Sequence, residues 1–284
     1  MNAAAPAATP TVALALSGGG ARGLAHIHVI EALDEMGIRP VAVAGSSIGA
    51  ILGAGVAAGM RGDDIRAFAT SILGRRAEVA SRVWRTRPGS LAQMMQGGLR
   101  LTQFDIERVL TVFLPDRIPA DFAALQIPLQ VTATDYFGHH VTVMAEGDLH
   151  SALAASAAIP AVFRPVKRDG RVYIDGGIYN PLPFDLVRGL ADIVVAVDVV
   201  GAPEEGARGP TSIDLMFGAT QLMMQSIIAG NLIHSRPDIL VRPPVSRFRV
   251  LDFLKIEQVL AETASVKDEV KRALEAELRK RAAP

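Results

Sequence analysis

The feature that most restricts the fold is a short apolar run, Val12 to Leu16, which breaks into the glycines Gly18, Gly19 and Gly20. Apolar periodicity of the helical kind then runs from Leu24 to Met36 and is closed by Gly37. This reads as a buried strand, a glycine-rich turn and a helix. The pattern is followed at once by another of the same kind: apolar Val41 to Ala44, a tight turn from Gly45 to Gly49, and a helix from Ala50 to Ala58. Two β-turn-α units in succession call for parallel strands joined by crossover helices. Further strand signals at Leu129–Thr134, Val141–Met144, Val172–Ile174, Ile193–Val199 and Ile239–Val241 alternate with helical stretches. The expected fold is therefore α/β, three layers α/β/α, with a mainly parallel central sheet covered by helices on both faces.

The spacing between these units sets the domain organisation. Residues 11–284 are expected to form one domain behind a flexible Ala- and Pro-rich tail, Met1 to Pro10, which lacks the cationic n-region of a secretory signal. From Gly62 to Leu114 the pattern is helical but interrupted, with an irregular passage from Arg85 to Leu101, and Ala202–Pro210 reads as a polar loop. A final helix is expected over Ile256–Arg281, its apolar stripe packed on the sheet and Arg279, Lys280 and Arg281 complementing its C-terminal dipole. The longest apolar stretch, Ile48 to Met60, is broken by glycines and falls short of the roughly 20 residues a membrane-spanning helix needs.

Composition narrows the chemistry. Lys plus Arg and Asp plus Glu both total 29, so the chain has no long-range field for nucleic acid or an anionic membrane. With no cysteine, disulfides, thiolate metal sites and cysteine nucleophiles are excluded, which fits a reducing, cytoplasmic setting. Half the residues are hydrophobic but only 5% are aromatic, so small aliphatic side chains must build the core.

The strongest local chemical signal is Gly45-Ser46-Ser47-Ile48-Gly49, a G-x-S-x-G sequence between a strand and a helix. A serine on such a turn is lifted above the sheet edge, beside the unpaired N–H groups and positive dipole end of the following helix. Read alone, the same residues could be an ordinary Gly/Ser turn capping a helix. The second signal is Ser17-Gly18-Gly19-Gly20-Ala21-Arg22-Gly23, where consecutive glycines allow several N–H groups to converge, as in an oxyanion hole or a phosphate cradle. Gly18, Gly20 and Gly23 also match the dinucleotide pattern G-x-G-x-x-G. Against that reading, Ala44-Gly45-Ser46-Ser47 stands where an acidic residue should hold the ribose.

A serine nucleophile and a fan of N–H donors on adjacent strand ends instead make one acyl-transfer site. For its base, Asp175-Gly176-Gly177 follows the short strand Val172–Ile174, although Asp-Gly-Gly is by itself also a common turn. The histidines give no clear alternative. His26 and His28 fall on the first helix, His139 and His140 near a hairpin, and His150 and His234 are isolated. Only His234 follows Asp175 in the chain order of a Ser, Asp, His triad.

Taken together, Gly-Gly-Gly-Ala-Arg-Gly, Gly-Ser-Ser-Ile-Gly and Asp-Gly-Gly resemble the patatin-like phospholipase family over about Val12 to Asp198, with the later stretch similar to its compact bacterial members. The resemblance implies a Ser–Asp dyad, Ser47 as nucleophile and Asp175 as base. It also implies an oxyanion hole from Gly18 to Arg22, centred on the N–H groups around Gly19, Gly20 and Ala21. Gly45, Ser46, Ile48 and Gly49 would form the nucleophile elbow, and Gly176 and Gly177 the loop of the base. The block Ala155-Ser156-Ala157-Ala158-Ile159-Pro160 resembles a family segment too, with no catalytic step attached to it.

The function so implied is hydrolysis of fatty acyl esters, of phospholipase A, lysophospholipase or esterase type, through an acyl-enzyme and without metal or organic cofactor. Partners are then a lipid or ester substrate and peripheral contact with a membrane surface, with no nucleic acid. A protein that binds lipid on the same fold without turnover is the competing reading. For the acyl chain, flexible methionine-rich walls are expected from Met94, Met95, Leu99, Leu101 and Phe104 together with Leu215, Met216, Phe217, Met223 and Met224. Arg22, Arg82, Arg85 and Arg87 are the arginines within reach of a lipid phosphate, or simply solvated surface.

Overall fold

The computed structural model describes residues 9–74, 103–205 and 209–282. The irregular passage expected over Arg85–Leu101, with Arg82 and most of the N-terminal tail, lies outside the described residues.

The first strand, β1 (Val12–Leu16), is followed by a 3-10 turn over Gly20–Ala25 and helix α1 (His26–Glu35). Next come β2 (Ala42–Ser46), α2 (Ile48–Ala57) and α3 (Gly62–Leu73). After α4 (Ile106–Phe113), β3 (Leu129–Asp135) and β4 (His140–Met144) form a hairpin, and α5 (Leu149–Ser156) leads to β5 (Val166–Arg168) and β6 (Arg171–Asp175). The chain ends with α6 (Phe184–Val187), β7 (Ile193–Val197), α7 (Ser212–His234), β8 (Ile239–Val241), α8 (Ile256–Glu262) and α9 (Val266–Ala282).

One sheet runs in the order β5-β6-β3-β2-β1-β7-β8, with β4 also paired to β3. Strands β3, β2, β1, β7 and β8 are parallel, as the β-turn-α grammar requires, whereas β4 and β6 each pair antiparallel with β3, and β5 pairs antiparallel with β6. The buried strands alternate large and small residues rather than apolar and polar ones. Val12, Leu14, Leu16, Val43, Val195 and Val197 join the core beneath α1, α2, α5, α8 and α9. Ala13, Ala15, Ala42, Ala44 and Ala196 face the other way, where α6 and α7 cover them with Phe184 and Ile228. Alanine on that face lets the helices pack close to the sheet.

Two expected elements differ. The stretch read as one helix over Ile256–Arg281 is two helices, broken at Thr263, whose buried hydroxyl donates to the Val259 carbonyl at 2.6 Å. A threonine that bonds back to the preceding turn offers the backbone a competing partner. The helix expected from Leu24 starts at His26, because the preceding residues are wound into the tighter 3-10 turn. Strand β5 carries too few apolar residues to be visible in the sequence pattern.

Buried charge ties the helices together. Glu31 on α1, only 2% exposed, accepts hydrogen bonds from Arg66 on α3 and is paired with Lys267 on α9 at 2.8 Å. Burial would raise the Glu31 carboxyl pKa, but the bonds from Arg66 and Lys267 outweigh it and hold the group at about 2.

Candidate active site

Ser47 occupies the N-cap of α2 with φ 53° and ψ −124°, a positive φ that a non-glycine residue adopts only where its surroundings enforce it. Close packing around the elbow supplies the enforcement. A Cβ on Gly49 would collide with the Leu16 carbonyl at the end of β1, so only glycine allows α2 to start this near the sheet. The Ser47 N–H donates to the buried hydroxyl of Ser156 at 2.8 Å.

The register of β3 explains how Asp175 reaches this serine from 128 residues away. Residues 131–135 of β3 pair with β4, so β2 and β6 must share the opposite edge. Along that edge β2 runs parallel, ending with Ser46 beside Thr132, and β6 runs antiparallel, ending with Asp175 beside Ala133. The carboxyl ends of two strands therefore meet head to head, and Ser47 Oγ donates to Asp175 Oδ2 at 2.6 Å.

Asp175 is 7% exposed. Burial raises its carboxyl pKa to about 6, against the opposing effect of hydrogen bonds from the Ser47 hydroxyl and the Gly177 N–H, the latter at 2.8 Å. Its own N–H donates to the Ala158 carbonyl at 3.1 Å, and its carbonyl accepts from Thr134 Oγ1 at 2.8 Å. The segment 156–158 thus holds the backbone of both residues, Ser156 through its hydroxyl and Ala158 through its carbonyl. The block Ala155–Pro160 stands out in the sequence only by its resemblance to a family segment, which attaches no catalytic step to Ser156.

The glycine-rich turn sits beside this pair, with the Cβ position of Gly18 3.4 Å from Ser47 Cβ. The five residues expected to build the oxyanion hole are not equivalent. The Gly18 N–H donates to the Pro181 carbonyl at 3.0 Å and the Ala21 N–H to the Val250 carbonyl at 2.8 Å, so both are already committed. Among the described residues, no acceptor is found for the N–H of Gly19 or Gly20. Gly20 has φ 59° and abuts Val250, a position that excludes any side chain. Buried Arg22 donates from Nε to the Gly19 carbonyl at 3.2 Å. In a trans peptide the carbonyl and the next N–H point opposite ways, so holding the Gly19 oxygen also sets the direction of the Gly20 N–H. Burial lowers the Arg22 pKa to about 10, with nearby Asp198 opposing, and the guanidinium keeps its charge at neutral pH.

Beneath the turn, Ser17 donates its N–H to the Val197 carbonyl at 3.0 Å, and its hydroxyl donates to the Gly18 carbonyl and accepts from the Val199 N–H. His26 Nε2 lies 3.0 Å from the Ser17 carbonyl, and burial lowers its pKa to about 4, so it is a neutral donor. None of the six histidines bonds to Ser47 or Asp175. His234 is exposed at the end of α7, which removes the triad reading. The Cβ positions of Gly18, Gly20 and Gly23, the glycines of the dinucleotide pattern, are faced by Ser47, Val250 and Ile48.

An apolar cavity of about 450 Å³ opens from Ser47 and runs between α2, α3 and α4. Its walls differ from the sequence expectation. Of the described apolar residues named there, only Phe104 lines it, whereas Leu215, Met216 and Met223 on α7 are 59%, 44% and 60% exposed. Met224 packs against Gly18 and Gly177 instead. Met94, Met95, Leu99 and Leu101, like Arg82, Arg85 and Arg87, lie outside the described residues. Apolar residues surround α7, so its sequence marks no single lining face. Among the described residues no cluster of side chains could hold a metal ion, and no helix is long and apolar enough to cross a membrane.

Comparison with known proteins agrees with the fold and gives the family. An uncharacterized NTE family protein of Mycobacterium tuberculosis is 39% identical over 201 residues, covering 70% of this chain and 52% of that protein. This chain thus spans about half the length of its mycobacterial relatives. Human patatin-like phospholipase domain-containing protein 6 is 31% identical over 204 residues, covering 69% of this chain and 14% of the human protein. Among solved structures, VipD from Legionella pneumophila superposes with a TM-score of 0.52 at 15% identity, over 94% of this chain and 67% of VipD, a likeness of fold. The model of the patatin-like phospholipases matches residues 14–188, a span that contains the glycine-rich turn, Ser47 and Asp175, and the chain belongs to that family.

Proposed function

We propose that the protein is a serine lipid acyl hydrolase in which Ser47 is the nucleophile and Asp175 its base, carried by a single domain over residues 11–284. The observation that carries the reading is the 2.6 Å hydrogen bond from Ser47 Oγ to a buried carboxylate. An aspartate of ordinary pKa is a feeble base at neutral pH, and a value near 6 brings it close to the working range.

In the proposed reaction Asp175 takes the Ser47 proton as Oγ attacks the ester carbonyl. The N–H groups of Gly19 and Gly20, the two in the turn without a partner, hold the tetrahedral oxyanion, aided by the positive end of α2. Collapse returns the proton to the departing alcohol and leaves the acyl group on Ser47. Water, deprotonated by Asp175, then releases the fatty acid. Apart from substrate and water, the steps use only groups of the chain.

A fluorophosphonate probe tests the reading. Wild type should be labelled at Ser47, Ser47→Ala should not be labelled, and Asp175→Asn should react at least a hundredfold more slowly. A folded wild-type protein that resists the probe and hydrolyses no acyl ester overturns the proposal and leaves lipid binding without turnover.

A further inference from the structure

Helix α7 is anchored to the body of the protein along one face. Gln221 and Ile228 are buried there, and Gln221 Nε2 donates to the Val200 carbonyl at 3.0 Å. The opposite face is apolar and open. Leu215, Met216, Leu222 and Met223 are exposed on it, and Ile233, at 81%, is the most exposed large apolar residue among those described. Ala219, Ser226 and Ala229 are exposed between them, so positions 215, 219, 222, 226, 229 and 233 follow one another at alternating steps of four and three. That spacing keeps a single line of side chains turned toward a second helix. From residue 215 to residue 233 the helix has no ionisable side chain.

Area and relief together select what covers this face. The stripe exposes roughly 700 Å² of accessible surface, more than the few hundred that a monomer ordinarily leaves in one apolar patch. Set against its own copy it would bury about 1,000–1,400 Å² in all, the lower end of what specific interfaces need. Overlapped head to tail over residues 212–233, two copies place Leu215 opposite Gly230, Met216 opposite Ala229 and Ala219 opposite Ser226, with Leu222 and Met223 meeting about the two-fold axis. Large side chains then meet small ones, and the two backbones can approach closely. A parallel pair would instead set each large residue against its own copy. Antiparallel pairing also puts the positive end of each helix, capped by Thr211, beside the negative end of its partner. A lipid surface fits the face less well. A helix that lies in a bilayer interface carries Lys and Arg beside its apolar stripe, and α7 carries neither.

We infer that α7 is a self-association surface, through which two copies of the chain pair antiparallel along residues 212–233. Sedimentation equilibrium of the full chain from about 1 to about 200 μM should show a reversible dimer with a dissociation constant of micromolar order. Ala219→Arg puts a charge on the seam and should raise that constant at least about tenfold, with helix content by circular dichroism unchanged.

The chain has no cysteine, so single introduced cysteines report the geometry. With diamide as oxidant, Leu222→Cys, near the axis, should give a disulfide-linked dimer. Leu215→Cys, about 22 Å from its mate in this arrangement, should not. A chain that stays monomeric throughout, or a dimer that Ala219→Arg leaves intact, overturns the proposal. Crosslinking of Leu215→Cys as readily as of Leu222→Cys overturns the antiparallel pairing. Binding of a monomer to phosphatidylcholine vesicles, abolished by Ala219→Arg, assigns the face to lipid and overturns the second copy.

Discussion

Replacing the base should weaken catalysis and remove a cost to the fold that grows with pH, and pH separates the two effects. The Asp175 carboxyl is raised from 3.8 to about 6 because burial removes the charged form from water. A raised carboxyl pKa means that the native state binds the proton more tightly than the unfolded chain does. The stabilisation that follows is complete below pH about 4 and is lost as pH rises through about 6. A shift of about two units at about 1.4 kcal/mol each amounts to about 3 kcal/mol between those limits. Asparagine has the same shape but cannot ionise. The stability of Asp175→Asn minus that of wild type should therefore increase by about 3 kcal/mol from pH 4 to pH 8, whatever its starting value. Urea unfolding at pH 4, 6 and 8, extrapolated linearly, measures the gap. A gap that stays constant, or narrows toward alkaline pH, would refute the claim that a desolvated carboxylate burdens the native state.

Other perturbations follow from the same geometry. The wild-type rate should rise with pH and level off above about 6, tracking ionisation of Asp175; a profile flat from pH 5 to 8 would remove Asp175 as the base. Ser156→Ala leaves the Ser47 N–H buried without its acceptor, so kcat should fall about tenfold or more with KM little changed, and thermal stability should drop by about 1–3 kcal/mol. Arg22→Met frees the Gly19 carbonyl and should slow fluorophosphonate labelling of Ser47, an effect that unchanged labelling kinetics would contradict. Glu31→Gln leaves Arg66 and Lys267 facing a neutral group and should destabilise the fold by about 3 kcal/mol in urea, detaching α3 from α1.

The sequence alone determined the parts whose causes lie within a few residues of one another. The run Val12–Leu16 before Gly18, and Val41–Ala44 before Gly45, specify strand, turn and helix because apolar periodicity and glycine conformations act locally. The elbow serine was legible for the same reason, and so was Asp175 at the end of its strand. What the tertiary structure decided are the pairings between distant segments. That β2 and β6 share one edge of β3, and so bring Ser47 to Asp175, depends on register across 128 residues. The hydroxyl of Ser156 on the Ser47 N–H, and the capture of the Gly18 and Ala21 N–H groups by Pro181 and Val250, are likewise set by chain that arrives from elsewhere. The cavity walls differ from the sequence expectation because the aliphatic residues of α2, α3 and α4 look like any other core, while Met216 and Met223 of α7 look like a pocket and are exposed. Hydrophobic pattern tells which residues leave water, and only packing tells which of them border an empty space.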